Sequence, residues 1–181
     1  MQLSLQSIAT LVMTLTVGPL AATAQLGPFS ATYDFSAVTT STGTIDPTPP
    51  PTVVGMTLGS FAAVGLAANP SAAGRFTFSG WNNTTPGLDQ NRFYEVTLAP
   101  SPGNLLNLDS ISFGVRRSGT GPRDFSIRSS VNDYASTLGE ASATSPEISV
   151  TDNSFRFVND SSPSANITGT TALAEMEPPV L

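Results

Sequence analysis

The chain has 181 residues, and its seven basic residues, all of them arginine, face 13 acidic residues to give a formal net charge of -6. This acidic balance disfavours general nucleic-acid binding, which requires a basic surface that displaces counterions from phosphates. The sequence contains no histidine, cysteine or lysine. It therefore excludes a Ser-His-Asp triad, a cysteine nucleophile, a zinc site of thiolates or imidazoles, and a lysine Schiff base.

The first 24 residues have the pattern of a secretory signal. Residues 8–17 (IATLVMTLTV) form a short apolar run, Gly18 and Pro19 end it, and Ala22-Thr23-Ala24 is an A-x-A cleavage site before Gln25. The alternative interpretation is a buried first strand or helix. We predict a signal peptide over residues 1–24, then a single secreted domain over residues 25–181. The run is shorter than the roughly 20 residues that a membrane-spanning helix needs, so we expect no membrane span in the mature chain.

Short segments of alternating apolar and polar residues follow, separated by turn residues. Arg75 to Trp81 places Phe76 and Phe78 on one face, and the segment 92–98 places Tyr94, Val96 and Leu98 on one face. Such alternation is typical of strands with one buried face. A single helix-like patch lies at residues 172–176 (ALAEM). The pattern predicts an all-β fold, an antiparallel β-sandwich of jelly-roll type like the galactose-binding and carbohydrate-binding modules. The candidate strands lie within residues 31–36, 53–66, 75–81, 92–98, 105–117, 124–129 and 154–158.

The segment from Ile111 to Tyr134 is the most distinctive part of the sequence. It reads as a β-hairpin whose strands flank a glycine-containing loop at residues 118–122. Its apolar residues predict the buried face, and its arginines predict the outer face. The predicted inward residues are Ile111, Phe113, Val115, Phe125 and Ile127, and the predicted outward residues are Arg116, Ser126 and Arg128.

Four motifs between residues 31 and 140 carry a resemblance to a known group. They are Gly80-Trp81, Tyr94-Glu95-Val96, residues 116–122 (RRSGTGP) and residues 129–134 (SSVNDY). Together they resemble a β-sandwich domain of secreted bacterial proteins, often proteins with C-terminal sorting signals such as PEP-CTERM. The resemblance implies an extracellular β-sandwich.

Two departures from that group affect what we expect. Asn132-Asp133 stands where the group has Asp-Gly, and neither the closing strand nor the sorting tail of the group precedes Leu181. We therefore expect a truncated or diverged member, or part of a longer reading frame. A domain without its last strand would expose an unpaired sheet edge.

Two kinds of side chain are candidates for ligand binding. Arg116, Arg117, Arg123 and Arg128 lie within 13 residues, and guanidinium groups suit the carboxylate, sulfate or phosphate groups of an anionic glycan or a partner. The alternative is an exposed face paired with Asp124 and Asp133, which is the commoner role of surface arginines.

Aromatic residues next to Asn and Asp are the second kind. Trp81 or Tyr134 could stack on a sugar ring, and the alternatives are a core aromatic and a turn at Asn132-Asp133. The candidate ligand-binding residues are Trp81, Arg116, Arg128, Asp133 and Tyr134.

No cofactor is implied by the sequence, although Asp34 and Asp109 are candidate oxygen ligands for Ca²⁺. No catalytic motif surrounds any of the acidic residues. We therefore predict a non-enzymatic extracellular binding or adhesion module, whose partner is a polysaccharide or another cell-surface polymer. Two alternatives remain open: a structural matrix or cell-envelope protein without a small ligand, and an accessory domain of a secreted hydrolase whose catalytic part is absent from this chain.

Overall fold

A computed structural model describes residues 27–69, 73–82, 89–118, 121–138, 140–143 and 145–158, and the backbone of residues 2–4, 9–13, 24–25 and 169–174. Ala22, Thr23 and half of the apolar run at residues 8–17 lie outside the described residues. The strands are short. They are β1 (Gln2–Ser4), β2 (Ala9–Met13), β3 (Ala24–Gln25), β4 (Met56–Leu58), β5 (Ala62–Val64), β6 (Ala67–Ala68), β7 (Phe78–Ser79), β8 (Phe93–Glu95), β9 (Thr97–Pro100), β10 (Asn104–Leu105), β11 (Ser112–Val115), β12 (Asp124–Ser129), β13 (Glu140–Ala143), β14 (Ile148–Thr151), β15 (Ser154–Phe157) and β16 (Gly169–Ala174).

Nine of these strands form the largest sheet. Its path runs β4-β9-β2-β12-β1-β8-β5, with β15 paired to β12 and β14 paired to β15. The smaller sheets are β10-β3, β11-β16-β13 and β6-β7. Most pairs are antiparallel, and the parallel ones all involve β2 or β3. Within the described segments the helical content is one 3-10 turn, Ser130–Asn132, so the predicted all-β class and its antiparallel pairing are confirmed.

The helix prediction at residues 172–176 is wrong over its described part. Residues 169–174 form β16, which pairs with β11 on one side and β13 on the other. Two available strand edges, together with the β-branched Thr170 and Thr171, outweigh the helix preference of alanine and leucine, since tertiary pairing overrides intrinsic propensity.

The predicted faces of several strands are confirmed. Tyr94, Val96 and Leu98 are all buried, with a break between β8 and β9 at Val96, and Phe155 and Phe157 are buried on β15. The hairpin of β14 and β15 turns through Asp152 and Asn153, whose φ angles of 50° and 56° are left-handed. Two successive left-handed residues make the type I′ turn that matches the twist of paired strands.

The predicted hairpin at residues 111–134 is wrong in its pairing. Strand β11 pairs with β16, whereas β12 pairs with β1, β2 and β15. The apolar faces of the two segments still meet. The centroid of the Phe113 ring lies 6.2 Å from that of Phe125 and 6.0 Å from that of Phe155. Ser126, predicted to face outward, is fully buried. The candidate strand at residues 31–36 is an irregular segment.

The aromatic side chains form two separate groups. Members of each group contact one another edge-on, stacked or tilted, and within the described residues no ring contact joins the two groups. The first group is Tyr33, Phe35, Phe61, Phe76, Phe78, Trp81 and Tyr94, and the second is Phe113, Phe125, Phe155 and Phe157. Aliphatic residues such as Val96, Leu98 and Ile127 complete the core between them.

We predict that Gly65→Ala destabilises the fold by about 3 kcal/mol. Gly65 has a φ of +68°, and a Cβ there would lie 2.1 Å from the Asn91 carbonyl oxygen, a backbone atom that no rotamer change can move. Gly103→Ala is the matched control, since its φ is +85° but its Cβ would meet no atom within 4 Å. We expect about 1 kcal/mol there. Urea unfolding measures both, and equal losses would contradict the close approach at Gly65.

We also predict that stability falls as the pH rises above 10. Burial raises the pKa of Tyr33 to about 12 and raises the pKa of Tyr94 as well. Below about pH 10 the phenols are neutral in both states. Above about pH 10 these tyrosines ionise in the unfolded chain but stay neutral in the folded one. The free energy of unfolding therefore falls until the pH has risen through the pKa of the folded state. The chain has no lysine or cysteine, so few other side chains titrate there. Chemical unfolding between pH 9 and 12 should show a smaller fall for Tyr33→Phe, and an unchanged fall would contradict the prediction.

Candidate functional site

A tight loop at residues 129–134, here called the Tyr134 loop, follows the central strand β12. The Ser129 hydroxyl accepts a hydrogen bond from the Val131 amide (3.1 Å), and the Tyr134 amide donates to the Ser129 carbonyl (2.9 Å). Asp133 and Tyr134 have φ angles of 53° and 59°. Left-handed backbone occurs more often at aspartate than at most residues but is an outlier for a residue as bulky as tyrosine, so the strain of this loop lies mainly at Tyr134.

Arg128 holds this loop. Its Nη1 donates to the Tyr134 carbonyl oxygen at 2.5 Å, and its Nε donates to the Ser126 hydroxyl at 3.4 Å. Burial lowers the pKa of Arg128, although an arginine stays charged at ordinary pH. The guanidinium group is thus a clamp on the strained peptide, and these two bonds use two of its five N–H donors.

Two carboxylates lie near the Tyr134 phenol. Burial is the main cause that raises the pKa of Tyr134, and the negative charges of Glu95 and Asp133 raise it further, whereas a hydrogen bond with the Ser130 side chain lowers it. Asp133 is exposed, and Glu95 and Tyr134 are half-buried. The structure brings Arg128 into contact with Tyr134, beside Asp133 in the same loop, and the charge of Glu95 acts on the same phenol.

Glu95 reaches this site through the sheet register. Gln2 of β1 lies opposite Arg128 on one side and opposite Glu95 on the other. The sequence places Glu95 on the outer face of its strand but gives no sign that β8 lies two strands from β12. Sequence reasoning missed Glu95 for this reason.

Trp81 does not belong to this site. Its indole Nε1 donates to the Phe78 carbonyl oxygen (2.9 Å), and its ring packs edge-on against Tyr94 with centroids 5.5 Å apart. Tyr94 and Glu95 are consecutive in β8 and so point to opposite faces of the sheet. Trp81 therefore lies on the face opposite Glu95, as a half-buried aromatic at the border of the core.

The arginines of the predicted cluster make contacts of several kinds. Arg123 Nε donates to the Phe157 carbonyl (3.3 Å), and Arg117 donates to the Gly121 carbonyl (3.2 Å) with its guanidinium carbon 5.8 Å from the Phe157 ring centroid. Asp124 pairs with Arg156 at 3.4 Å, rather than with the cluster. Arg116 is exposed. These contacts hold backbone carbonyls and the Phe157 ring, and an anionic-ligand patch stays a prediction.

The acidic residues offer no preformed metal site in the part of the chain that the structure describes. No group of three or more Asp and Glu side chains there is placed to hold a metal ion. Asp34 is exposed, and its Oδ1 accepts from the Ser36 amide (2.9 Å), which lowers the pKa of Asp34. Asp109 is also exposed. Asp46 is buried, and its Oδ1 accepts from the Thr48 amide at 2.9 Å. Ca²⁺ binding stays a prediction.

Comparison with protein families, with characterised proteins and with solved structures gives no match for this chain. In the described segments, no helix has the length and apolar character needed to cross a membrane. The Tyr134 loop with Glu95 is therefore the candidate site on the strength of its own geometry.

We predict that Arg128→Gln destabilises the fold by about 1–2 kcal/mol, because it removes the donor to the Tyr134 carbonyl. Arg116→Gln is the matched control, since Arg116 is exposed and such changes usually stay within about 0.5 kcal/mol. Chemical unfolding measures both variants. Equal stabilities would show that Arg128 does not hold the loop.

Proposed function

We propose that this chain is a non-enzymatic extracellular binding or adhesion module with a jelly-roll-like β-sandwich architecture, and that its ligand is the carbohydrate of a cell-surface polymer. The observation that carries the proposal is the strained Tyr134 loop. Strained backbone at non-glycine residues concentrates at functional sites. Here it coincides with a half-buried aromatic ring, two carboxylates and a guanidinium clamp.

The chemistry of the loop suits a sugar. A tyrosine ring offers an apolar face and a polar hydroxyl group, and the carboxylates of Asp133 and Glu95 accept hydrogen bonds from hydroxyl groups. The charged groups that act on the phenol are negative, and the chain has a net charge of -6. Like charges repel, so a neutral polysaccharide fits this site better than a sulfated or phosphorylated one.

Support for an extracellular setting comes from the N-terminal sequence. The apolar run at residues 8–17 and the A-x-A motif before Gln25 form a secretory signal pattern. The absence of cysteine suits a domain that is exported without a disulfide framework. An extracellular module is exposed to cell-surface polymers, which are the predicted partner class.

We predict that Asp133→Gly raises stability by about 1 kcal/mol and weakens binding to a neutral polysaccharide at least tenfold. Glycine adopts the left-handed conformation of residue 133 without strain, but it removes the carboxylate. A pull-down and a glycan array with neutral and sulfated polymers measure binding, and urea unfolding measures stability. Arg116→Gln, a change outside the loop, should leave binding unchanged.

Two results would contradict this proposal. Equal binding by the wild type and Asp133→Gly would remove the Tyr134 loop as the ligand site. A wild type that binds no neutral or anionic polymer would overturn the carbohydrate function. In that case self-association of the purified chain would favour the matrix alternative.

A further inference from the structure

The segment that the sequence predicts to be an export signal is paired within the main sheet. Gln2, Leu3 and Ser4 pair antiparallel with Arg128, Ile127 and Ser126, and β1 also pairs with β8. β2 runs parallel to β12 and to β9. Residues 2–4 and 9–13 therefore supply two strands, β1 between β12 and β8, and β2 between β12 and β9.

These two strands join two halves of the sheet. In the described residues, β8 and β9 connect to β12 through β1 and β2, whereas β5 and β4 extend one half and β15 and β14 extend the other. The aromatic residues divide in the same way. Tyr94 of β8 belongs to the first aromatic group, and Phe125 and Phe155 of β12 and β15 belong to the second. The backbone pairing of β1 and β2 therefore connects the two halves.

The predicted cleavage bond is paired as well. Ala24 and Gln25, which flank it, form β3 and run parallel to Asn104 and Leu105 of β10. Cleavage of a paired segment requires that the segment first open, so its rate follows the population of the open form. Both parts of the predicted signal, the apolar run and the scissile bond, thus have partners in the fold.

We propose that folding and export compete for the N-terminal segment. The folded precursor holds residues 2–4 and 9–13 and the Ala24–Gln25 bond in its sheets, so the signal is available for processing only before the chain folds or after the segment withdraws. Removal of the segment would leave unpaired strand edges on β12, β8 and β9. This inference rests on the proposed secretion of the protein.

Cysteine crosslinking of the full chain tests the pairing. The chain contains no cysteine, so the double variant Ser4→Cys/Ser126→Cys carries a single pair of thiols at opposed positions of β1 and β12. Opposed residues of antiparallel strands have Cα separations of about 4.5–5.5 Å, which suit a disulfide. The control is Ser4→Cys/Ser149→Cys, because Ser149 is an exposed residue of β14. We expect at least tenfold more crosslink for the Ser126 pair under mild oxidation, and equal yields would overturn the proposal.

Processing of the crosslinked chain tests the competition. Purified bacterial signal peptidase is added to the oxidised and the reduced Ser4→Cys/Ser126→Cys precursor, and mass spectrometry follows the removal of residues 1–24. We expect processing at least tenfold slower for the oxidised form, and rapid processing when the reduced chain is added freshly diluted from urea. Equal processing rates for the oxidised and reduced forms would overturn the proposed competition between folding and export, but not the proposed secretion. No processing of the chain diluted from urea would overturn the secretion proposal and, with it, the competition.

Discussion

The central strand β12 is the element on which the rest of this structure depends. It pairs with β1, β2 and β15, and it carries the fully buried Phe125 and the buried Ile127. The same strand runs directly into the Tyr134 loop, so the register of β12 sets the position of the candidate site. A strand with partners on both edges and buried side chains on both faces has little freedom to slip. This makes β12 a rigid base for a strained loop.

The hydrogen bonds of the arginine side chains follow from the short strands of this fold. Short strands leave many loop carbonyls without a ladder partner, and a buried carbonyl without a hydrogen bond is costly. A guanidinium group has five donors in a fixed geometry, and here Arg117, Arg123 and Arg128 each donate to a backbone carbonyl. The arginine-rich sequence therefore indicates loops whose backbone carbonyls need hydrogen-bond donors. The sequence does not show that these guanidinium groups already have carbonyl partners, which is why the segment also reads as an anion-binding patch.

The buried faces of the strands were predictable from the sequence, but their partners were not. The alternation of Tyr94, Val96 and Leu98, and of Phe155 and Phe157, is a local property, and all five side chains are buried. Pairing is non-local, so β11 and β12, which are adjacent in sequence, belong to different sheets. The same limit applies to the site: the loop residues Asp133 and Tyr134 are visible as a turn motif, whereas Glu95 arrives from another strand.

The candidate site spans the two halves of the sheet, and this connects ligand binding to the N-terminal segment. Glu95 lies on β8 in one half, and Arg128 and the Tyr134 loop lie in the other, with Gln2 between them in the register. Two strand spacings of about 4.8 Å therefore separate the Glu95 and Arg128 backbones. Asp133 and Tyr134 belong to the loop that follows β12, whereas β1 sets the width of the gap between that strand and Glu95. The presence of residues 2–4 therefore determines where Glu95 lies relative to the Tyr134 loop.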